Sequence, residues 1–135
     1  MKEFQIYLNF DGNCRQAMEY YAKCLDAKLD VMPYSQGPME VPPEGKDRVL
    51  HARVAKGTQI IMASDCLPGT PLQQGNNFAV CINCDSRQEV DQLFASLGDK
   101  GKVIMPVADM FWGTYFGMIT DQFGINWMFN HEDPK

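Results

Sequence analysis

Histidine occurs only twice in the 135 residues, at positions 51 and 131, and no H-x3-5-H pair exists. The single C-x-x-C, Cys81-Ile-Asn-Cys84, has no second pair to complete a zinc site. It lies at the end of an apparent strand, where i and i+3 point to opposite faces and do not converge. Positive charge is also scarce, with 12 Lys and Arg against 17 Asp and Glu and a net charge of −5. Without a basic stripe to neutralise phosphates, nucleic acid is not an expected partner. No apolar run approaches the roughly 18 residues of a bilayer-spanning helix. Glu3, Gln5 and Asn9 interrupt the N-terminal segment where a signal peptide would be apolar. The expected compartment is therefore the cytoplasm, with no membrane partner. Five cysteines, an odd count at low density, read as reduced thiols. Neither Ser35 nor Ser64 sits in a G-x-S-x-G elbow, and no cysteine has a histidine at a suggestive spacing. No Gly-rich strand-to-helix loop suited to a methyl-donor nucleotide appears, which argues against methyl transfer.

What is present is alternation, and then its repetition. Phe4, Ile6, Leu8 and Phe10 alternate with Gln5, Tyr7 and Asn9, predicting a strand with one apolar side. Asp11-Gly12-Asn13 turns the chain, Asn13 is placed to cap a helix, and Ala17, Met18, Tyr21 and Leu25 stripe a helix from about Cys14 to Leu25. Lys28–Tyr34 reads as a strand and the Pro- and Gly-rich Ser35–Lys46 as a loop. Val49–Val54 and Gln59–Ala63 flank Ala55-Lys56-Gly57 as a hairpin, and Asp65–Gly75 reads as a linker. The order then restarts. A strand at Phe78–Asn83 is followed by an Asp85-Ser86 cap and a helix from about Arg87 to Leu97. Lys102–Val107 is the next strand, and Phe116–Thr120 and Ile125–Asn130 form a hairpin around Asp121-Gln122-Phe123-Gly124, with Trp112 and Tyr115 at its mouth. Echoes support a duplication: Arg15-Gln16 with Arg87-Gln88, Val31-Met32-Pro33 with Ile104-Met105-Pro106, and Gly57-Thr58-Gln59-Ile60 with Gly124-Ile125-Asn126-Trp127. The expected fold is α+β, two βαβββ modules within one domain: module one at about 1–65, a linker at about 66–76, module two at about 77–131. The nine methionines, dispersed through these elements, read as core filler.

In this order the chain resembles the vicinal oxygen chelate superfamily of glyoxalases, bleomycin-resistance proteins and extradiol dioxygenases, and more closely its PhnB-like branch. The resemblance is carried by Tyr7–Cys14 with Ala17 and Tyr20-Tyr21, by Leu50-His51-Ala52 and Ile61–Asp65, and by Gly117 with Asp121–Trp127. It implies curved mixed sheets around a concave pocket, helices outside, and a homodimer. It also implies metal ligands on the first and last strand of each module. Those positions hold Gln5, Ile61, Asn77 and Met128; shifted by one they hold Ile6, Met62, Phe78, and Trp127 or Phe129. None is His, Asp or Glu, so the usual triad is not expected and no cofactor is expected. The expectation is a small-molecule-binding protein of this group. The resemblance leaves two alternatives. One is an enzyme using a divalent metal (Ni, Zn, Mn or Fe) as lyase, isomerase or dioxygenase on vicinal oxygens. The other is a drug-sequestering resistance protein.

The candidate ligand-binding residues are Tyr7, Asn9, His51, Arg53, Gln59, Asn77, Trp112, Tyr115 and Asn126. His51 is the best catalytic candidate, since its charge changes near neutral pH; a half-buried strand histidine bonded to a carbonyl is the alternative. Arg53 shares its face and could grip a carboxylate or pair with a surface acid. Trp112 and Tyr115 could stack on a planar ligand or pack at a dimer interface. Tyr7, Asn9, Gln59, Asn77 and Asn126 are placed opposite the helix-packing side, where amides would bind a polar ligand or face solvent. His131 is expected at the surface and Asp121 as a turn residue.

Overall fold

The structure, a computed structural model, describes residues 1–134. It divides into two compact units, Met1–Gln73 and Gln74–Lys135. Each follows the same βαβββ order, so the architecture is α+β with two four-stranded mixed sheets and one helix per sheet.

In the first unit β1 (Ile6–Phe10), α1 (Cys14–Leu25), β2 (Lys28–Pro33), β3 (Val49–Lys56) and β4 (Gln59–Asp65) form a sheet of order β1-β4-β3-β2. β1 runs parallel to β4, while β3 is antiparallel to β4 and to β2. Alternation decides which face the helix covers: Leu8, Phe10, Ala52, Val54, Ile61 and Ala63 are buried with Ala17, Met18 and Tyr21 of α1. The first strand starts at Ile6, so Phe4 of the predicted alternation precedes it, and both Phe4 and Ile6 are exposed. The first hairpin turns on Gly57-Thr58, with Gly57 at φ 60°: β3 runs to Lys56, two residues further than expected, while β4 starts at Gln59 as expected. The Ser35–Lys46 loop contains single 3₁₀ turns at Tyr34–Gln36 and Pro43–Gly45.

The start of α1 corrects two expectations. Asn13 makes no side-chain capping bond. Asp65, expected to open the linker, is instead the last residue of β4, and only 2 % of its surface is exposed. Its Oδ1 accepts from the backbone N–H groups of Gly12 (2.8 Å) and Cys14 (3.0 Å), its Oδ2 from that of Val49 (2.9 Å). Its carbonyl accepts the Tyr34 hydroxyl at 3.0 Å. A carboxylate from the sheet therefore caps the helix and satisfies amides that the turn would otherwise bury unpaired.

In the second unit β5 (Val80–Asn83), α2 (Arg87–Leu97), β6 (Lys102–Asp109), β7 (Thr114–Thr120) and β8 (Asn126–Glu132) form a sheet of order β5-β8-β7-β6, with β5 parallel to β8. Ser86 caps α2 as expected, accepting from Glu89 N at 3.0 Å while Glu89 accepts from Asp85 N at 2.9 Å. Phe78, predicted within the first strand of this unit, precedes it and is exposed. The helix-facing side buries Val80, Ile119, Trp127 and Phe129. Gly117 faces the same way: a Cβ there would lie 3.0 Å from Phe94 Cδ2 of α2 and 2.9 Å from Val107 Cγ2. Asp121 is a turn residue, as expected, but a buried one. Its Oδ1 accepts from Phe123 N (2.8 Å) and Ile125 N (3.0 Å), its Oδ2 from Trp127 Nε1 (2.8 Å). His131, expected at the surface, is half-buried, with Nδ1 2.9 Å from the Cys84 carbonyl.

Replacing Asp65 or Asp121 by Ala strands buried donors, and each change should cost about 3 kcal/mol, read as a lower urea midpoint at unchanged slope. Gly117→Ala forces a methyl against the Phe94 ring and should cost about 1–3 kcal/mol, whereas Gly57→Ala, with open space around it, should cost only the penalty of its positive φ. Equal losses at both glycines would contradict the packing account.

Candidate functional site

Register sorts the candidate residues by face. On the first sheet, the side away from α1 carries Tyr7 opposite Met62, Met62 opposite Arg53, and Arg53 opposite Asp30. The adjoining positions are Asn9 opposite Ser64 and His51 opposite Met32. The Tyr7 and His51 rings are tilted by 38° with centroids 6.0 Å apart. Tyr7 and Met32 are 46 % and 45 % exposed, so this face is accessible apolar surface as well as polar. Arg53 is exposed, and its side chain has no hydrogen bond or ion pair among the described residues. Tyr7, Asn9, His51 and Arg53 thus come together as the alternation implied. Met32 and Met62, which complete the surface, were not singled out, since their place depends on strand pairing rather than on sequence pattern.

Three expected members stand elsewhere. Gln59 has the parity of Ile61 and Ala63, so it belongs to the helix side, at the hairpin turn, where its Nε2 bonds only Thr58 Oγ1 at 3.2 Å. Its strand begins where expected, but Ile60 to Ala63 are apolar at every position, so alternation alone does not tell which side the helix covers. Asn77 lies in a bend before β5 and on no sheet face. Tyr115 pairs with His131 and points to the helix side of the second sheet. Its hydroxyl donates to Asp91 at 2.6 Å, and the Arg87 guanidinium lies 4.5 Å above its ring. Arg87 also pairs with Asp109 and Asp133, and its hydrogen bond holds the Asp133 carboxyl below the usual range. Tyr115 is part of an outer ionic cluster.

The second sheet's open face carries Cys81, Asn83, Asn126, Met128, Asn130, Phe116, Met118 and Thr120 by register. Asn126 is committed to the sheet end, accepting from Thr120 Oγ1 at 2.7 Å and donating to the Phe78 carbonyl at 3.2 Å. Trp112, 54 % exposed, meets Phe116 edge-on at 6.2 Å and Phe111 at 4.9 Å, so it stands at the rim of this face.

Four thiols, Cys14, Cys66, Cys81 and Cys84, are not poised as nucleophiles. Burial pushes Cys14 and Cys84 up to about 12, and burial also raises Cys66 and Cys81. Among the described residues no three His, Cys, Asp or Glu side chains group as metal ligands. Of the positions the resemblance assigns to a metal, Gln5 precedes β1, Ile61 is buried toward the helix, and Asn77 is off the sheet; Met128 and, in the shifted set, Met62 reach an open face. Two thioethers on different sheets do not suit a hard divalent ion. No helix among the described residues is long and apolar enough to cross a membrane.

Comparison with known proteins places this geometry. The chain is 33% identical to Protein YjdN of Escherichia coli, over 92% of this chain and 91% of that one. Protein PA1353 from Pseudomonas aeruginosa superposes with a TM-score of 0.86 at 38% identity, covering 98% of this chain and 100% of the other. A Bacillus cereus protein described as a putative 3-demethylubiquinone-9 3-methyltransferase, PhnB protein, has a TM-score of 0.79 at 22% identity over 96% and 99% of the two chains. At the level of fold alone, a glyoxalase/bleomycin resistance protein/dioxygenase family enzyme from Burkholderia phytofirmans reaches 0.63 at 13% identity over 93% and 95%. Residues 2–129 match the family described as 3-demethylubiquinone-9 3-methyltransferase. The chain belongs to that family, and its fold is the one found in glyoxalase/bleomycin resistance proteins.

Proposed function

We propose that this chain binds a small planar molecule carrying an anionic or strongly accepting group, on the open face of its first sheet, without a divalent metal. The observation that carries the reading is the Tyr7–His51 ring pair at 6.0 Å, on the same face as an unpartnered Arg53. Two rings and two thioethers offer an adaptable apolar bed. The guanidinium fork supplies directional bonds to a carboxylate or similar group. Such a site combines apolar surface with few polar anchors, as small-molecule sites commonly do.

The family's description names a methyl transfer, and this chain's strand-to-helix turns argue against a methyl-donor nucleotide. Gly12 N and Cys14 N already donate to Asp65, and Asp85 N and Glu89 N are taken by the capping pair of α2. These amides are turned onto the protein's own carboxylates and hydroxyl, whereas a nucleotide-binding loop gathers its amides on the anion.

Benzoate, benzamide and benzylamine serve as anionic, neutral and cationic ring probes, followed by NMR shifts and thermal shift. Benzoate should bind at least about threefold better than benzamide and perturb residues of β1 and β3, and Arg53→Gln should abolish that preference while leaving Tm within about 1 °C. Equal binding of all three probes, or perturbation away from β1 and β3, would discard the reading. Titration with Ni²⁺, Zn²⁺ and Mn²⁺ should show no stoichiometric site that depends on His51. One equivalent of metal lost in His51→Ala would reinstate a metal enzyme.

A further inference from the structure

We infer that the open face of the second sheet is a site for a soft monovalent metal ion, Cu(I) or Ag(I), held by the sulfurs of Cys81, Met128 and Met118. The three residues belong to one row across the sheet. Cys81 stands opposite Met128 in the parallel β5–β8 pair, and Met128 opposite Met118 in the antiparallel β8–β7 pair. Their common face follows from their neighbours: Val80, Trp127 and Ile119, one position away on each strand, are buried toward α2. Residues directly opposite on adjacent strands have Cβ atoms about 4.5–5.5 Å apart, so sulfurs on flexible stems in three consecutive strands can meet above the middle one. Met105 continues the row opposite Met118, where β6 bulges, and is 38 % exposed.

Core filling, the ordinary role of methionine, does not describe this row. Cys81 is exposed, and Met118 and Met128 are half-buried on the side that the helix leaves open. The donor set also selects among ions. One thiolate with two thioethers is a soft set that favours Cu(I) and its heavier congener over Mg²⁺ or Mn²⁺, which take oxygen donors, and it lacks the further thiolates or imidazoles that complete a zinc site. The adjoining row offers no carboxylate: Asn83 and Asn130 bond each other, with Nδ2 to Oδ1 at 3.2 Å. Binding replaces the Cys81 S–H bond by an S–metal bond and releases one proton to solvent, leaving a neutral thiolate–metal unit. No oxidation or reduction is involved. The site lies on the second sheet, so it stands or falls separately from the ring-and-guanidinium face of the first.

The test is anaerobic Cu(I) titration of the full chain against the chelator bicinchoninate. One equivalent should be retained against the chelator. Met118→Leu and Met128→Leu, which conserve volume, should each weaken binding at least about tenfold, and Cys81→Ser more strongly. Because half-buried Cys24 and Cys66 also carry thiols, the Cys24→Ser/Cys66→Ser protein should bind as the parent does. In wild-type protein with ¹³C-methyl methionine, one equivalent of Ag(I) should shift the Met118 and Met128 methyl signals and leave Met18 unmoved, a readout that requires no variant to bind metal. Absence of binding, affinity unchanged in both leucine variants, loss of binding in the Cys24/Cys66 variant, or unshifted Met118 and Met128 methyls would each overturn the assignment.

Discussion

A carboxylate buried at the point where a strand ends and a helix begins is the constraint on which the first unit depends. A helix leaves its first amides without partners, and a turn packed under a sheet cannot leave them to water. Asp65 resolves this from a distance, gathering Gly12, Cys14 and Val49 onto one side chain while its carbonyl takes the Tyr34 hydroxyl. One residue thus ties β1, α1, the loop after β2, β3 and β4. The face that carries Tyr7, His51 and Arg53 is only as well ordered as the registers this clamp maintains. The second unit meets the same need differently. Ser86 and Glu89 cap its helix locally, and its buried carboxylate, Asp121, organises a hairpin instead and holds the indole of Trp127.

What could be learned from the residues alone was periodic or local. Both helices, the Ser86 cap, the two-fold βαβββ order and the faces of Tyr7, Asn9, His51 and Arg53 follow from spacing, because alternation and helical stripes are properties of consecutive residues. The errors share a cause. Asp65 was read as a linker residue because its type is common there, and the burial of Asp121, rightly expected in a turn, was missed; both depend on partners brought in by pairing. Gln59 was given the wrong face because Ile60, Ile61, Met62 and Ala63 are all apolar, and a strand without alternation does not say which side packs on the helix. Tyr115 was placed beside a glycine-flanked strand entry, but its direction was set by Asp91 and Arg87, 24 and 28 residues earlier. The sulfur row was invisible for the same reason: Cys81, Met118 and Met128 are far apart in sequence and adjacent only once three strands are in register.

The two sheets share a plan and differ in chemistry. The first presents rings, a guanidinium and thioethers; the second presents amides, a thiol and thioethers with Trp112 at the rim. A duplicated module keeps its helix-facing residues under one packing constraint, so Ala17, Val54, Val90 and Ile119 have little freedom. The alternate positions on each strand carry no such constraint and can diverge. This is how one fold hosts unrelated ligands: the period-two pattern separates what holds the sheet from what the sheet displays.

The reach of the two carboxylates carries a consequence for how the chain assembles. Asp65 closes contacts 53, 51 and 16 residues away, whereas those of Asp121 span 2, 4 and 6. Ordering a long loop before its contact forms costs entropy that a six-residue span largely avoids. The hairpin around Asp121 is therefore suited to form early, on the time scale of local structure, while the first unit must bring both ends of its sequence together before its helix is capped. On a ribosome, that clamp cannot close until residue 65 has emerged, and α1 waits until then with its leading amides in water.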